Sequence, residues 1–178
     1  MIRHILQLIL IISLGFSSTW VGLDSKTQKM VAPSVINSDV QESFLHFEFN
    51  GYHAIDVETP NGIESVINLE GGSSIMNTGT PDLDKWTSSI IIPDQGVTSV
   101  EVISSSYHDF YNVSVAPSKG NFSRLIDPSD VAYDYTSVYQ SDAFFPGIIA
   151  ELEDPYIMRD LRGQTVIVYP LQYNPITK

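Results

Sequence analysis

The chain has 178 residues, with 21 acidic against 9 basic side chains, a formal net charge of −12 and no cysteine. Its length and 43% hydrophobic content suit one domain with a buried core and exclude disorder beyond the ends. The charge disfavours nucleic-acid backbones and anionic lipid, and the lack of Cys removes disulfides, thiolate metal ligands and a cysteine nucleophile.

Arg3 and His4 precede an apolar run from Ile5 to Phe16, and Ser17-Ser18-Thr19 follows. A basic start, an apolar stretch of about 12 residues and small residues after it describe a secretory signal peptide. The run falls short of the ~20 residues a membrane span needs. Residues 1–19 are therefore read as the signal, with cleavage near Ser18 to Gly22 and no stable membrane insertion afterwards. Export without cysteine fits a bacterial envelope or extracellular protein. Residues 20–42 are polar and aperiodic, with Lys26, Lys29, Pro33 and scattered Ser, and read as a flexible lead-in.

From residue 43 the pattern has period 2. Leu45, Phe47 and Phe49 share one face of a strand, and His53, Ile55 and Val57 share a face of the next. A Pro60-Asn61-Gly62 turn then leads into a strand over Ser65–Leu69, the pattern of a hairpin. Further strands are predicted at Ser88–Ile92, Thr98–Ser104, Tyr111–Val115, Ile148–Leu152 and Thr165–Leu171, where β-branched residues crowd. Turn chemistry separates them at Gly79-Thr80-Pro81, Pro93-Asp94-Gln95-Gly96, Pro117-Ser118-Lys119-Gly120, Asp127-Pro128, Phe145-Pro146-Gly147 and Asp154-Pro155. The fold class is all-β: an antiparallel β-sandwich of seven or more strands occupying residues 43–178. Gln164–Tyr173 reads as a strong strand followed by a hairpin turn at Asn174–Lys178 with no returning strand. An unpaired strand exposes its peptide groups, so the chain reads as the front fragment of a longer polypeptide.

No HExxH, GxSxG, Walker-A or dinucleotide-binding pattern occurs, so no catalytic residue and no cofactor is assigned. His46, His53 and His108 lack ligand spacing. Asp82 with Asp84, and Asp127 with Asp130 and Asp134, could offer oxygens to Ca²⁺, but neither group matches a calcium loop, and no metal site is assigned. Trp86, Tyr107, Phe110 and Tyr111 could act as stacking platforms. They support an alternative reading, an exported β-sandwich adhesion or carbohydrate-binding module.

The stretch from Ala116 to Pro128 reads as a long, turn-rich loop carrying Lys119, Gly120, Ser123 and Arg124. Lys85 is the only Lys or Arg between Asp39 and Ser118, so a projecting Arg124 stands out on an acidic body. Guanidinium is a planar, permanently charged fork suited to a carboxylate-lined pocket, or to a surface salt bridge. Arg159, Asp160, Arg162 and Gly163 read as a structural turn between strands. In it the arginines make an ion pair or bond to carbonyls, and Gly163 supplies a permissive backbone.

The runs APSKGNFSR, DPSDVAYDY, SVYQSDAFFPG and EDPYIMRDLRGQTVIVYPLQYNPITK together resemble the N-terminal prodomain of gingipain-type cysteine peptidases, peptidase family C25. GTPDL, Ser89–Pro93 and VTSVEVISS fit the pattern more loosely, and Asp84 departs from it, where a Pro usually follows the Leu. The resemblance implies a β-sandwich that precedes a catalytic domain, assists its folding and keeps it latent during export. It implies that the catalytic Cys and His lie in a downstream gingipain-like domain of the same polypeptide, the expected partner. It also implies that Arg124, in its KGxxSR context, occupies the S1 pocket of an Arg-preferring enzyme, with Lys119 contributing little. Passage through the periplasm to the cell surface or medium by type IX secretion follows from the same resemblance.

Overall fold

The computed structural model describes residues 18–23 and 31–178. Its strands are β1 (Ser18–Gly22), β2 (Val31–Ser38), β3 (Ser43–Glu48), β4 (Gly51–Thr59), β5 (Gly62–Asn68), β6 (Ser73–Ser74), β7 (Asp84–Ile91), β8 (Ala150–Leu152), β9 (Tyr156–Met158) and β10 (Leu161–Val168). Among the described residues the only helical pieces are 3₁₀ turns at Pro128–Asp130 and Ser137–Gln140.

Every strand pairing is antiparallel. One sheet has the order β1-β4-β5, a second has β6-β7-β10-β8 with β9 also on β10, and β2-β3 forms a separate ribbon. The β4–β5 hairpin closes over Pro60-Asn61, with Thr59 opposite Gly62. The two sheets share one core. Tyr52 of β4 and Ile67 of β5 meet Trp86 of β7, with Leu69, Leu83, Val115 and Tyr173 filling between them. Trp86 is only 5% exposed, lies stacked on Phe47 at 6.4 Å and donates its indole N–H to the Glu70 carbonyl. The predicted all-β sandwich is the fold that forms.

Individual strands depart from the sequence reading in instructive ways. Thr98–Ser104 and Tyr111–Val115 form no strand. The first is tied down by side chains instead. Thr98 donates to the Gln164 side chain, and Arg162 donates to the carbonyls of Pro93 (2.9 Å) and Gly96 (3.2 Å). β-branched composition alone does not make a strand without a strand to pair with. β10 stops at Val168 and is not an unpaired strand. β7 lies on one side and β8 and β9 on the other, so the reason given for a missing return strand does not hold.

Residues 1–17 of the expected signal peptide lie outside the described residues. Ser18 and Thr19, its last two, begin β1, which pairs with β4. Within 20–42, read as a lead-in without regular structure, β2 pairs with β3. Its side chains from Ser34 to Ser38 are exposed, so backbone pairing holds it and no buried face leaves an alternation to read.

The turn around Arg159 also differs in detail. Arg159 and Asp160 form the two-residue link between β9 and β10, with Arg159 at φ 60°. Gly163 lies inside β10 and is needed for space, not for its backbone angle: a Cβ there would sit 2.7 Å from the Tyr156 ring. The stacking-platform alternative loses its centre, because Trp86 is core and Phe110 packs edge-on against Tyr52 at 5.3 Å.

Since Trp86 joins both sheets, Trp86→Ala is expected to destabilise folding by roughly 3–5 kcal/mol. Urea denaturation followed by far-UV circular dichroism reads this directly.

Candidate functional site: the loop carrying Arg124

The loop leaves the core along a buried leg. Val115, Ala116, Pro117 and Ser118 are all buried, and their peptide groups bond to two flanking segments. On one side Ser65 of β5 donates to the Ser114 carbonyl (2.8 Å) and accepts from the Ala116 N–H (2.9 Å). On the other, the Asp82 N–H donates to Ala116 (2.8 Å), the Ser118 N–H to Thr80 (2.7 Å) and the Gly79 N–H to Ser118 (2.8 Å). Val115 itself is held by two tyrosines: the Tyr139 hydroxyl donates to its carbonyl and its N–H donates to the Tyr173 hydroxyl. The anchor predicted as a Tyr111–Val115 strand thus lies a few residues later, as an extended leg bridged to Ser65 and Pro81.

The returning leg meets the outgoing one at Gly79. Its carbonyl accepts from both the N–H (3.0 Å) and the hydroxyl (2.8 Å) of Thr136. Gly79 has φ +76°, and a Cβ there would lie 2.6 Å from the Thr136 methyl, so only glycine allows this crossing. Gly120 is similar, at φ +74° with Thr78 Oγ1 2.0 Å from a built Cβ.

Beyond the crossing, Lys119 closes a neck. Its Nζ donates to the Pro128 carbonyl at 2.7 Å and stands 4.2 Å over the Tyr133 ring. No structural task for Lys119 could be read in advance, because both partners lie nine or more residues away and leave no local signal. Asp127 caps the short 3₁₀ turn, accepting from the N–H and hydroxyl of Ser129, which hold its carboxyl below the usual range with Lys119 adding to the effect. The neck leaves Gly120–Asp127 as the tip.

Within the tip, Ser123–Ile126 is a β-turn, closed by the Ile126 N–H on the Ser123 carbonyl at 3.0 Å. The Ser123 hydroxyl accepts from the Leu125 N–H. Arg124 and Leu125 occupy the two central positions. Both are exposed, Leu125 at 96%, and the Arg124 guanidinium makes no hydrogen bond or ion pair with any described residue. The surface salt bridge left open by the sequence is not formed with any of the described residues. Of the predicted site residues, Lys119, Gly120, Ser123 and Arg124 are brought together here. Arg159, Asp160, Arg162 and Gly163 belong to the β9–β10 hairpin.

Sequence reasoning missed Thr59, Glu64 and Tyr135. Glu64 on β5 is only 7% exposed, and one of its carboxylate oxygens accepts from the Thr59 hydroxyl (2.9 Å) and the Tyr135 hydroxyl. Burial and the Glu64 carboxylate push the Tyr135 hydroxyl up to about 12, so it is a donor at neutral pH. The only hint in the sequence is an acid inside a strand next to a turn. Asp82 and Asp84, weighed above as metal oxygens, serve the fold: Asp82 accepts from the Ser74 and Ser118 hydroxyls, and Asp84 from the Leu69 N–H at 2.7 Å. Among the described residues no cluster of His, Asp and Glu is placed to hold a metal ion.

Comparison with known proteins bears on this loop. Residues 26–178 match the sequence profile of the family described as Propeptide_C25. Gingipain R2 of Porphyromonas gingivalis is 39% identical over 144 residues, covering 81% of this chain and 20% of that protein. Gingipain R1 of the same organism is 40% identical over 134 residues, covering 75% of this chain and 14% of that protein. The fold is similar to that in a solved complex of the P. gingivalis RgpB pro- and mature domains, with TM-score 0.78 and 38% identity over 82% of this chain and 77% of that one. A structure bearing on the zymogenic latency of P. gingivalis gingipain K shares the fold at TM-score 0.72 and 22% identity, covering 90% of each chain. The chain thus spans about a fifth of the first curated relatives it matches.

Two tests follow from the geometry alone. Gly79→Ala combines a positive φ with a clash at the crossing, and is expected to destabilise the domain by about 2 kcal/mol or more in chemical denaturation. Burial raises the carboxyl pKa of Asp82 and of Asp84, the latter helped by the Asp82 charge. A raised folded pKa means the native state binds more protons, so this contribution is fully present below the usual aspartate range and is lost as pH rises through the folded values. The melting-temperature difference between wild type and Asp82→Asn/Asp84→Asn should shift in favour of wild type as pH is lowered from neutral to the usual aspartate range, about 4.

Proposed function

Since the chain belongs to the Propeptide_C25 family, we propose that it is the inhibitory and folding-assisting prodomain of a secreted gingipain-like cysteine peptidase. Arg124 fills the specificity pocket of that enzyme. The partner is the catalytic domain of the same polypeptide, which supplies the catalytic Cys and His. The pair is exported together through the periplasm to the cell surface or medium, by signal peptide and type IX secretion. No helix among the described residues is long and apolar enough to cross a membrane.

The observation that carries this reading is the pose of Arg124. A permanently charged side chain stands exposed and unpartnered at the apex of a turn whose two legs are fixed. Such a group loses little freedom when a pocket receives it, since the backbone ordering cost has already been met in folding. In a pocket lined by carboxylate, the guanidinium makes a bidentate, charge-assisted contact. Latency then comes from occupancy of the cleft, and folding assistance from a template surface of pre-formed strands.

Arg124→Ala is expected to weaken inhibition of a gingipain-type, arginine-cleaving cysteine peptidase by about tenfold or more. Lys119→Ala, which opens the neck but keeps the guanidinium, should weaken it only a few-fold, by roughly the worth of one hydrogen bond and one cation–π contact. Inhibition constants measured with purified chain decide the matter. Equal values for wild type and Arg124→Ala would overturn the role of this loop.

A further inference from the structure

We infer that Glu64 and Tyr135 form a latch that sets the pose of the Arg124 loop, acting as positioning residues for the inhibitory contact. The inference rests on the function proposed above for Arg124. Glu64 belongs to the β4–β5 hairpin, while Tyr135 belongs to the returning leg, 71 residues further along the chain. Their contact joins the returning leg of the loop to the sheet.

Three features single out this contact. First, Glu64 is a buried carboxylate without a Lys or Arg partner among the described residues. Lys178, the nearby cation at the same cleft, donates to the Ser114 hydroxyl instead. Among the described residues its hydrogen-bond donors are the hydroxyls of Thr59 and Tyr135, both on one carboxylate oxygen, and losing either removes half of that bonding. Second, the Tyr135 hydroxyl lies 3.0 Å from Thr59 Oγ1 as well, so the three groups form one closed cluster. Third, the Tyr135 ring meets Tyr139 edge-on at 4.9 Å, and Tyr139 donates to the Val115 carbonyl. The latch thus reaches both legs of the loop, the returning one directly and the outgoing one through Tyr139.

The remaining tethers act at other points of the loop. Thr136 bonds the returning leg to Gly79, but that contact fixes the crossing point and not the direction in which the leg continues. The Lys119 neck joins the loop to itself, so it moves with the tip. The outgoing leg is bonded to β5 through its backbone, and Glu64–Tyr135 is the side-chain contact that refers the returning leg to the same strand.

The test uses the full chain with Tyr135→Phe, which keeps the ring, and Glu64→Gln, which keeps the shape and removes the charge. Limited trypsin digestion followed by mass spectrometry compares cleavage after Arg124 with cleavage after Arg159, the exposed turn between β9 and β10. Each variant should raise the Arg124-to-Arg159 cleavage ratio by roughly tenfold, as expected for the loss of a charge-assisted hydrogen bond that keeps the loop closed. Each should also weaken inhibition of the arginine-cleaving peptidase while Arg124 is intact. An unchanged ratio, or equal acceleration at both sites from general loosening or failure to fold, would overturn the latch. The digestion does not depend on inhibition: if Arg124→Ala leaves inhibition intact, the proposed function falls while the cleavage ratio still judges the latch.

Discussion

Val115–Ser118 are buried, and the hydrogen-bonding needs of their peptide groups constrain everything around them. A buried N–H or C=O left without a partner costs more than a made hydrogen bond contributes. The leg therefore needs β5 on one side, the Gly79–Asp82 segment on the other, and tyrosine hydroxyls at Val115, where neither flank supplies a partner. Each of these is far away in sequence, so the loop base forms only when both sheets have come together. The consequence is mechanical. The base cannot shift piecemeal, and the residues beyond it start from a fixed point.

What the fixed point carries is electrostatic. On a chain of net charge −12, one guanidinium projects from the loop without a local counter-ion. The acidic body around it repels another acidic surface and attracts a basic one, over a range of about 10 Å at moderate salt. A partner suited to the proposed role presents carboxylate only where Arg124 enters and tolerates negative charge around the rim. The same field disfavours competing acidic surfaces, so charge selects the partner as well as strengthening the contact.

The sandwich was legible because its strongest strands alternate. Leu45, Phe47 and Phe49, the Pro60-Asn61-Gly62 hairpin and the Val166–Val168 run all carry their signal within a few residues. What was lost depended on neighbours. Val100 and Val102 prefer a pleated surface, but their segment pairs with no strand; Thr98 at its start is bonded to the Gln164 side chain, and Arg162 holds the turn before it. β2 pairs through its backbone with an exposed face, so its residues look like linker. At the site, Arg124 could be picked out as a lone base in an acidic stretch, and the motif around it named a family. Glu64 and Tyr135 could not be picked out, because the contact between them exists only in the folded chain.

Under the role proposed for the loop, the closed turn at its tip bears on how it inhibits without being consumed. Peptidases bind their substrates as extended strands, with main-chain bonds on either side of the scissile bond. Ser123–Ile126 is instead a hydrogen-bonded turn, with Arg124 and Leu125 at its centre. Extending it breaks the Ile126-to-Ser123 bond and lengthens the span between Gly120 and Asp127. The Lys119–Pro128 neck resists that lengthening, and the legs below it are pinned at Gly79. The guanidinium is therefore free to enter a pocket while the bond that follows it stays out of the geometry required for attack. Under the proposed role, side-chain recognition and backbone reactivity are separated by the stiffness of the loop, and that stiffness is set by contacts outside the turn that carries Arg124.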